Sequence, residues 1–348
     1  MIFASDTWSG ASDKVIAALS DQARRGGPAY GSDPLTRRVE ARFSELFERE
    51  VAVFLVGSGT AANTLALSTF ARPGGVILCH REAHILVDET GGSELLGSRC
   101  QGLDGRGGKI APDEVEQGLA RFSPDHVHGG RAVAVSVTNI TELGLAYQPA
   151  EIAAISEVAK RNGLPLHLDG ARFAGAVASL GRSPADITWR AGVDVMSFGG
   201  TKNGCIAAEA VVFFNPDQAR DFPYARQRAG HGFAKGWFLS AQFDAYLDGG
   251  HWLDLARHAN TMGARLGDAV RRSGSARLAL EPAANEVFAI LPRSLDKKLR
   301  SAGAVYGPWS AASFPAAEQP GPDEVLVRFV ATWQTKAEDV DRFAGLLA

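Results

Sequence analysis

Five short apolar runs, each followed by a segment of helical spacing or a tight loop, constrain this chain more than any other feature. VAVFLV (51–56) passes through GSGT into TAANTLALSTFA, and GVILCH (75–80) leads to AHILVDETGGSELL. RAVAVSVTN (131–139) precedes PAEIAAISEVAKRNG, and LPLHLDG (164–170) precedes ARFAGAVASLG. VDVMSFGG (193–200) precedes TKN, with AEAVVFFNP (208–216) close behind. These runs are largely apolar and do not alternate, which is how strands buried on both faces read. Strands that alternate with helices predict an α/β fold built on a mostly parallel, doubly wound sheet. Open sheets of that kind bind ligands beyond the carboxyl ends of their strands.

The flanks have a different period. SDKVIAALSDQAR (12–24) starts at a capping serine and sets Val15, Ile16, Leu19 and Ala23 on one face. PLTRRVEARFSELFER repeats the pattern with Leu35, Val39, Phe43, Leu46 and Phe47. After about residue 245, HWLDLARHANTMGARLGDAVRR and KAEDVDRFAGLLA read as helices. NEVFAILPR (285–293) and EVLVRFVATW (324–333) alternate as half-buried strands do. The expectation is a large domain over 1–245 and a small α+β domain over 246–348, with GPWSAASFPAAEQPGP (307–322) as a long surface loop.

Composition narrows the function. Hydrophobic residues make up 45% and charged residues 22%, which excludes a disordered or fibrous chain. Lys+Arg 36 against Asp+Glu 39 leaves no basic excess, so a nucleic-acid partner is not expected. Three well-separated cysteines, Cys79, Cys100 and Cys205, form neither a disulfide framework nor a zinc spacing. MIFASDTWSG has no basic start followed by an apolar stretch, and no apolar run approaches a membrane span. A soluble cytoplasmic protein without a membrane partner or metal is expected.

Four polar features stand at the ends of predicted strands. Gly57-Ser58-Gly59-Thr60 lies between a strand and a helix, where free N–H groups and two hydroxyls suit a phosphate, although any tight turn or a degenerate dinucleotide loop could use the same glycines. Asp169 in HLDGAR ends a buried run. It caps a helix, pairs with Arg172, or faces a cationic ring nitrogen. Lys202 in SFGGTKNG leaves a strand in a small-residue loop and is either solvated or the amine of a Schiff base. His84 is either structural or a ring that stacks on a planar group. Together, a phosphate cradle, a stacking ring, a strand-end acid and a strand-end lysine are what a pyridoxal-phosphate enzyme needs.

HLDGARFA, SFGGTKNG, SGTAAN (58–63), SDT (5–7) and YGSDP (30–34) resemble the low-specificity L-threonine aldolases. Those enzymes belong to the pyridoxal 5′-phosphate fold type I group, near the β-eliminating lyases. The resemblance implies cleavage of L-threonine, L-allo-threonine or a related L-β-hydroxy-α-amino acid to glycine and an aldehyde. It implies that Lys202 holds the cofactor, Asp169 its ring nitrogen, and Ser58, Gly59 and Thr60 its phosphate, with His84 stacked on the ring and Glu89 the acid beyond it. Ser5, Arg172 and Arg328 would bind the substrate carboxylate, and His84 or His128 would be the base. Tyr30 and Lys235 would serve a shared site in a homodimer or homotetramer. Two segments depart from the pattern: GHGFAKGW (230–237), where Lys235 stands for a family arginine, and Thr138–Glu142 beside the cofactor edge. Alternatives of the same group are phenylserine cleavage, β-elimination or a non-catalytic cofactor-binding protein.

Overall fold

The computed structural model describes residues 1–122 and 127–347. The five apolar runs and their follower become strands β1 (Ala52–Val56), β2 (Gly75–His80), β4 (Arg131–Thr138), β5 (Leu166–Gly170), β6 (Val195–Gly199) and β7 (Glu209–Phe213). A further strand, β3 (Ser98–Leu103), extends the sheet at one edge. The order is β1-β7-β6-β5-β4-β2-β3, and β7 alone runs antiparallel to its neighbours. This is the mostly parallel sheet the sequence predicts. β3 escapes sequence reading because it is an edge strand whose middle, RCQG, carries no apolar run.

Both faces of the sheet are buried, which is why its strands are apolar throughout. Leu55, Leu78, Val135, Leu168, Phe198 and Val212 face one core, together with Phe43 and Phe47 from the segment before β1. Val195, Val211 and Phe213 face the opposite side, as do Ile77 and Val133 further along. The helices in chain order are α1 (Asp13–Arg25), α2 (Pro34–Leu46), α3 (Gly59–Ser68), α4 (His84–Val87), α5 (Gly92–Leu95), α6 (Pro112–Ala120), α7 (Pro149–Arg161), α8 (Phe173–Leu180), α9 (Phe222–Arg228), α10 (Trp237–Leu247), α11 (His251–Arg272), α12 (Arg293–Ser301) and α13 (Ala337–Leu347). In α1 only Val15 is buried, and Ile16 is exposed to solvent.

A second, antiparallel sheet has the order β10-β11-β9-β8, from β8 (Arg277–Leu278), β9 (Glu286–Pro292), β10 (Gly307–Pro308) and β11 (Glu324–Val330). Its core of Leu266, Leu291, Leu299, Phe329 and Phe343 also takes in Phe3. Phe3 N–H donates to Val305 O at 2.8 Å and Phe3 O accepts from Val330 N–H at 2.9 Å, so the first residues dock against this unit through an isolated bridge between Ile2 and Val305. α11 supplies Trp252 and Ala256 to the first core and Met262 and Leu266 to the second. We therefore place the junction between the two units within α11, with the first residues joining the small one, and not at 245/246. The 307–322 segment is not simply a surface loop. It contains β10, buries Phe314, and reaches the large unit through Arg81 Nη2 donating to Ala312 O and Ser313 Oγ donating to Glu82 Oε2. Among the described residues no helix is long and apolar enough to cross a membrane.

The aromatic cluster centred on Phe43, with Phe198 at 5.1 Å and Phe243 at 5.4 Å in edge-to-face contact, joins α2, β6 and α10. Phe43→Ala leaves a cavity there and is expected to lower the unfolding free energy by about 3–5 kcal/mol in urea titration.

Candidate active site

The carboxyl ends of β1, β2, β4, β5 and β6 meet with the start of β7 along one edge of the large sheet. Lys202 sits in a single 3-10 turn (Thr201–Asn203) between β6 and β7. The turn is fixed on both sides. Asn203 Nδ2 donates to Tyr246 Oη and Trp252 O, and Thr201 N–H donates to Glu209 Oε1 at 3.3 Å. Glycine is obligatory before it: a Cβ at Gly199 would lie 2.4 Å from Ala171 O. This is the physical content of the SFGGTKNG motif. One cleft is lined by Asp6, Arg172, Lys202, Asn203, Asn285 and Thr332.

Asp169 is the penultimate residue of β5 and is 2% exposed. Its Oδ1 accepts from Ala171 N–H at 2.9 Å and its Oδ2 from Asn63 Nδ2 at 2.8 Å. Arg172 does not pair with it, and among the described residues no Lys, Arg or His forms an ion pair with it. A buried carboxylate with amide donors and no cation suits a protonated ring nitrogen. Asn63 also donates to Glu89 Oε1 at 2.8 Å, and Glu89 Oε1 lies 2.8 Å from His84 Nδ1. The hydrogen bond to Glu89 holds the His84 imidazole above its usual range, against burial. Sequence reading quoted Asn63 within SGTAAN but gave it no role; here it ties the ring-nitrogen acid to the histidine's anchor.

Ser58 caps α3, its Oγ accepting from Ala61 N–H at 3.2 Å. Among the described residues the Gly59 and Thr60 N–H groups have no hydrogen-bond partner, and a Cβ on Gly59 would meet nothing within 4 Å. The helix end is therefore open to an anion. The residues present fit pyridoxal 5′-phosphate: an open phosphate cradle, a cation-free acid, and a lysine beside it.

Arg172 and Arg328 both reach this edge. Arg172 Nε and Nη2 donate to the two carboxylate oxygens of Asp6 at 2.7 and 3.1 Å, and its Nη1 lies 3.2 Å from Glu286 Oε2. Burial works to raise the Asp6 pKa, but Arg172 and Lys202 outweigh it and hold the carboxyl below its ordinary range. Arg328, on β11, donates from Nη1 to Glu286 Oε1 at 3.2 Å. Ser5 caps the short turn that carries Asp6, with Oγ 2.8 Å from Thr7 Oγ1.

Three candidates are not brought into this cluster. His128 lies in a turn (Val127–Gly129) before β4, at the strand's amino end. The eight residues of β4 put ~26 Å between that end and the cleft. His128 is thus corrected as a candidate base within the protomer. Tyr30 (61% exposed) and the exposed Lys235 lie together on a surface turn, where Tyr30 N–H donates to Ala234 O. That turn packs beside β1, three strand spacings (~14 Å) from β5. His231, not Lys235, touches the phosphate loop, its Nδ1 accepting from Gly57 N–H at 3.3 Å.

Glu142 stands inside the cluster. It follows β4 in the segment the sequence marks as divergent. Its Oε1 accepts from His84 N–H and from Thr138 Oγ, both at 2.9 Å, while its enclosed Oε2 has no hydrogen-bond partner. Burial, then the Asp169 charge, pushes its carboxyl up to about 7. Burial likewise raises Glu209, behind Lys202, to about 7. For Glu209 the only sequence signal is a charged residue beside an apolar run, whereas Glu142 lies in the divergent Thr138–Glu142 segment, where nothing in the sequence assigns the acid a role.

The Glu142 shift has a definite sign in stability. Below pH 4.5 the group is protonated in both folded and unfolded chains. Between about 4.5 and 7 the unfolded chain loses the proton first, so wild-type stability falls as pH rises. Glu142→Gln removes this penalty and keeps the acceptor for His84 N–H. The variant is expected to gain on wild type through that window, reaching about 3 kcal/mol above pH 7, in urea unfolding series at pH 4 to 8.

Comparison with known proteins agrees with this geometry. Residues 3–293 match the model of the beta-eliminating lyase family. A low specificity L-threonine aldolase of Pseudomonas aeruginosa is 38% identical over 344 residues, covering 98% of this chain and 95% of the relative. One from a Pseudomonas species is 36% identical over 345 residues, covering 99% and 96%. The solved structure of Leishmania major threonine aldolase superposes with a TM-score of 0.92 at 27% identity, over 99% of this chain and 98% of that one. The chain belongs to the beta-eliminating lyase family and, within it, to the low-specificity L-threonine aldolases.

Proposed function

We propose that this protein uses pyridoxal 5′-phosphate to cleave L-threonine, L-allo-threonine and related L-β-hydroxy-α-amino acids into glycine and an aldehyde. The observation that carries the reading is Asp169: a buried, cation-free carboxylate one strand from the turn that bears Lys202. When bound, the cofactor supplies an electron-withdrawing ring that stabilises negative charge at the substrate's Cα. Lys202 attaches the cofactor. Asp169 keeps a proton on the ring nitrogen, and Asn63 fixes the direction of its carboxylate. The Gly59 and Thr60 N–H groups and the Ser58 hydroxyl hold the phosphate.

Proton transfer falls to His84. Its Nδ1 is engaged by Glu89, which leaves Nε2 to take the proton of the substrate's β-hydroxyl. Arg328, with Ser5, receives the substrate carboxylate. Arg172 has both atoms of its Nε/Nη2 edge on Asp6, so it braces the cleft wall. Holding the carboxylate on one side would restrict rotation about the substrate's Cα and present its Cα–Cβ bond in a single orientation for cleavage.

The same proposal includes a second copy of the chain. Tyr30, Leu95 and Tyr224 are 61%, 85% and 67% exposed, and an open cleft of about 940 Å³ runs beside Ser58 and Thr60, past Leu95, Leu96 and Arg228. A partner covering that face would bring its own groups to the phosphate loop. Free Cys79, Cys100 and Cys205 support a reducing, cytoplasmic setting.

Two experiments test the proposal. Cofactor-loaded protein is expected to release glycine and acetaldehyde in equal amounts from L-threonine, with Lys202→Ala at least about a thousandfold slower. Absence of glycine from L-threonine, L-allo-threonine and L-phenylserine alike would overturn the activity. Light scattering is expected to give a dimer or tetramer, and a monomer at micromolar concentration would overturn the shared site.

A further inference from the structure

Glu286 opens β9 and is fully enclosed, with 0% exposure. An acid so placed is costly unless it is paired. Its partners come from different units of the fold. Oε2 lies 3.2 Å from Nη1 of Arg172, which precedes α8 in the large unit, and Oε1 accepts from Nη1 of Arg328 in the small sheet at 3.2 Å. In the β9–β11 ladder Glu286 lies opposite Val330 and Arg328 opposite Phe288, two residues away, so their side chains share one face.

The atoms used by the two arginines differ. Arg172 spends its side-on edge, Nε with Nη2, on Asp6. Arg328 is held at Nη1 by Glu286 and lies with its guanidinium carbon 4.7 Å from the centre of the Trp309 ring. Its own side-on edge has no hydrogen bond among the described residues, although Nε is shut off from solvent. A buried donor without an acceptor, as Nε is, is unfavourable, and Nε with the neighbouring Nη2 forms a planar fork that matches one carboxylate.

We propose that Glu286 is a positioning residue for the substrate's carboxylate: it grips Arg328 by the far nitrogen and ties it to Arg172 across the two units, so that the Nε/Nη2 fork is preset for a single carboxylate. This rests on the reading of Arg328 as the carboxylate-binding residue of an amino-acid lyase. Glu286 itself touches no reacting atom; it acts through Arg328. Neutralising it removes the anion between two like charges, and a glutamine amide would present donors to one guanidinium that already donates.

The test compares two small amines on the cofactor-loaded protein, followed by the change each causes in its visible spectrum. Glycine has the carboxylate; ethanolamine lacks it. Glu286→Gln is expected to weaken glycine binding about ten- to a hundredfold and to leave ethanolamine within about twofold. Glu286→Asp, too short to span both arginines, is expected to weaken glycine in the same selective way by a smaller factor. Unchanged or tighter glycine binding in a folded variant would overturn the positioning role. So would an equal loss for both amines, or failure of both variants to fold, since each assigns Glu286 to joining the units alone. A wild-type protein whose spectrum does not respond to glycine would instead sink the amino-acid reading on which the proposal stands.

Discussion

Four charged side chains in alternating sequence, Asp6, Arg172, Glu286 and Arg328, hold this molecule together at the point where it works. They come from the N-terminal segment, the end of the large sheet, and both central strands of the small sheet. Three of them are nearly or fully enclosed, with side-chain exposures of 2%, 12% and 0%. Ions so enclosed repay their desolvation only when every neighbour is of opposite sign and well placed. Every neighbour in the row is of opposite sign, but among the described residues two of its buried atoms lack a hydrogen bond: Glu286 Oε2, which meets Arg172 as an ion pair alone, and Nε of Arg328. The need to place these charges fixes the two sheets relative to each other more tightly than apolar contact alone would.

Much of the architecture was legible because burial on both faces forces strands to be apolar along their whole length. Two candidate site residues of the large sheet were legible for a related reason: Asp169 and Lys202 stand at the carboxyl ends of apolar runs, where charge has no packing purpose. The features that escaped share the opposite property. β3 is an edge strand with a polar middle and gives no periodic signal. Glu142 and Glu286 sit in or beside strand-like stretches as isolated acids, and a sequence does not say whether such an acid meets water, an arginine or a histidine's backbone. His128 was named only through the family resemblance, and its place before RAVAVSVTN already puts it at the amino end of β4, away from the cleft.

The cleft is rich in acids for a site that handles an anionic substrate and a phosphate. Asp6, Glu89, Glu142, Asp169, Glu209 and Glu286 all lie close to it. Their roles separate by environment. Arg172 holds the Asp6 carboxyl below its ordinary range, Glu286 is raised by burial against the pull of Arg172 and Arg328, Asp169 is hydrogen-bonded by amide donors, and Glu142 and Glu209 are pushed by burial toward holding protons near neutral pH. Such a division lets many carboxyl groups crowd one place without their charges adding up, and it keeps the fork of Arg328 attractive to an anion.

The strand-like docking of Phe3 carries a consequence for how the molecule is made. Its backbone partners are Val305 and Val330, so the third residue waits for the last strand, β11, before it can settle. Asp6 follows three residues later and cannot seat Arg172 until that happens. During synthesis on a ribosome the large sheet can form first, but the cleft stays unfinished until the C-terminal strand has left the exit tunnel. Any extension fused ahead of Met1 would therefore lie against a late-closing seam, close to the contact of Asp6 with Arg172.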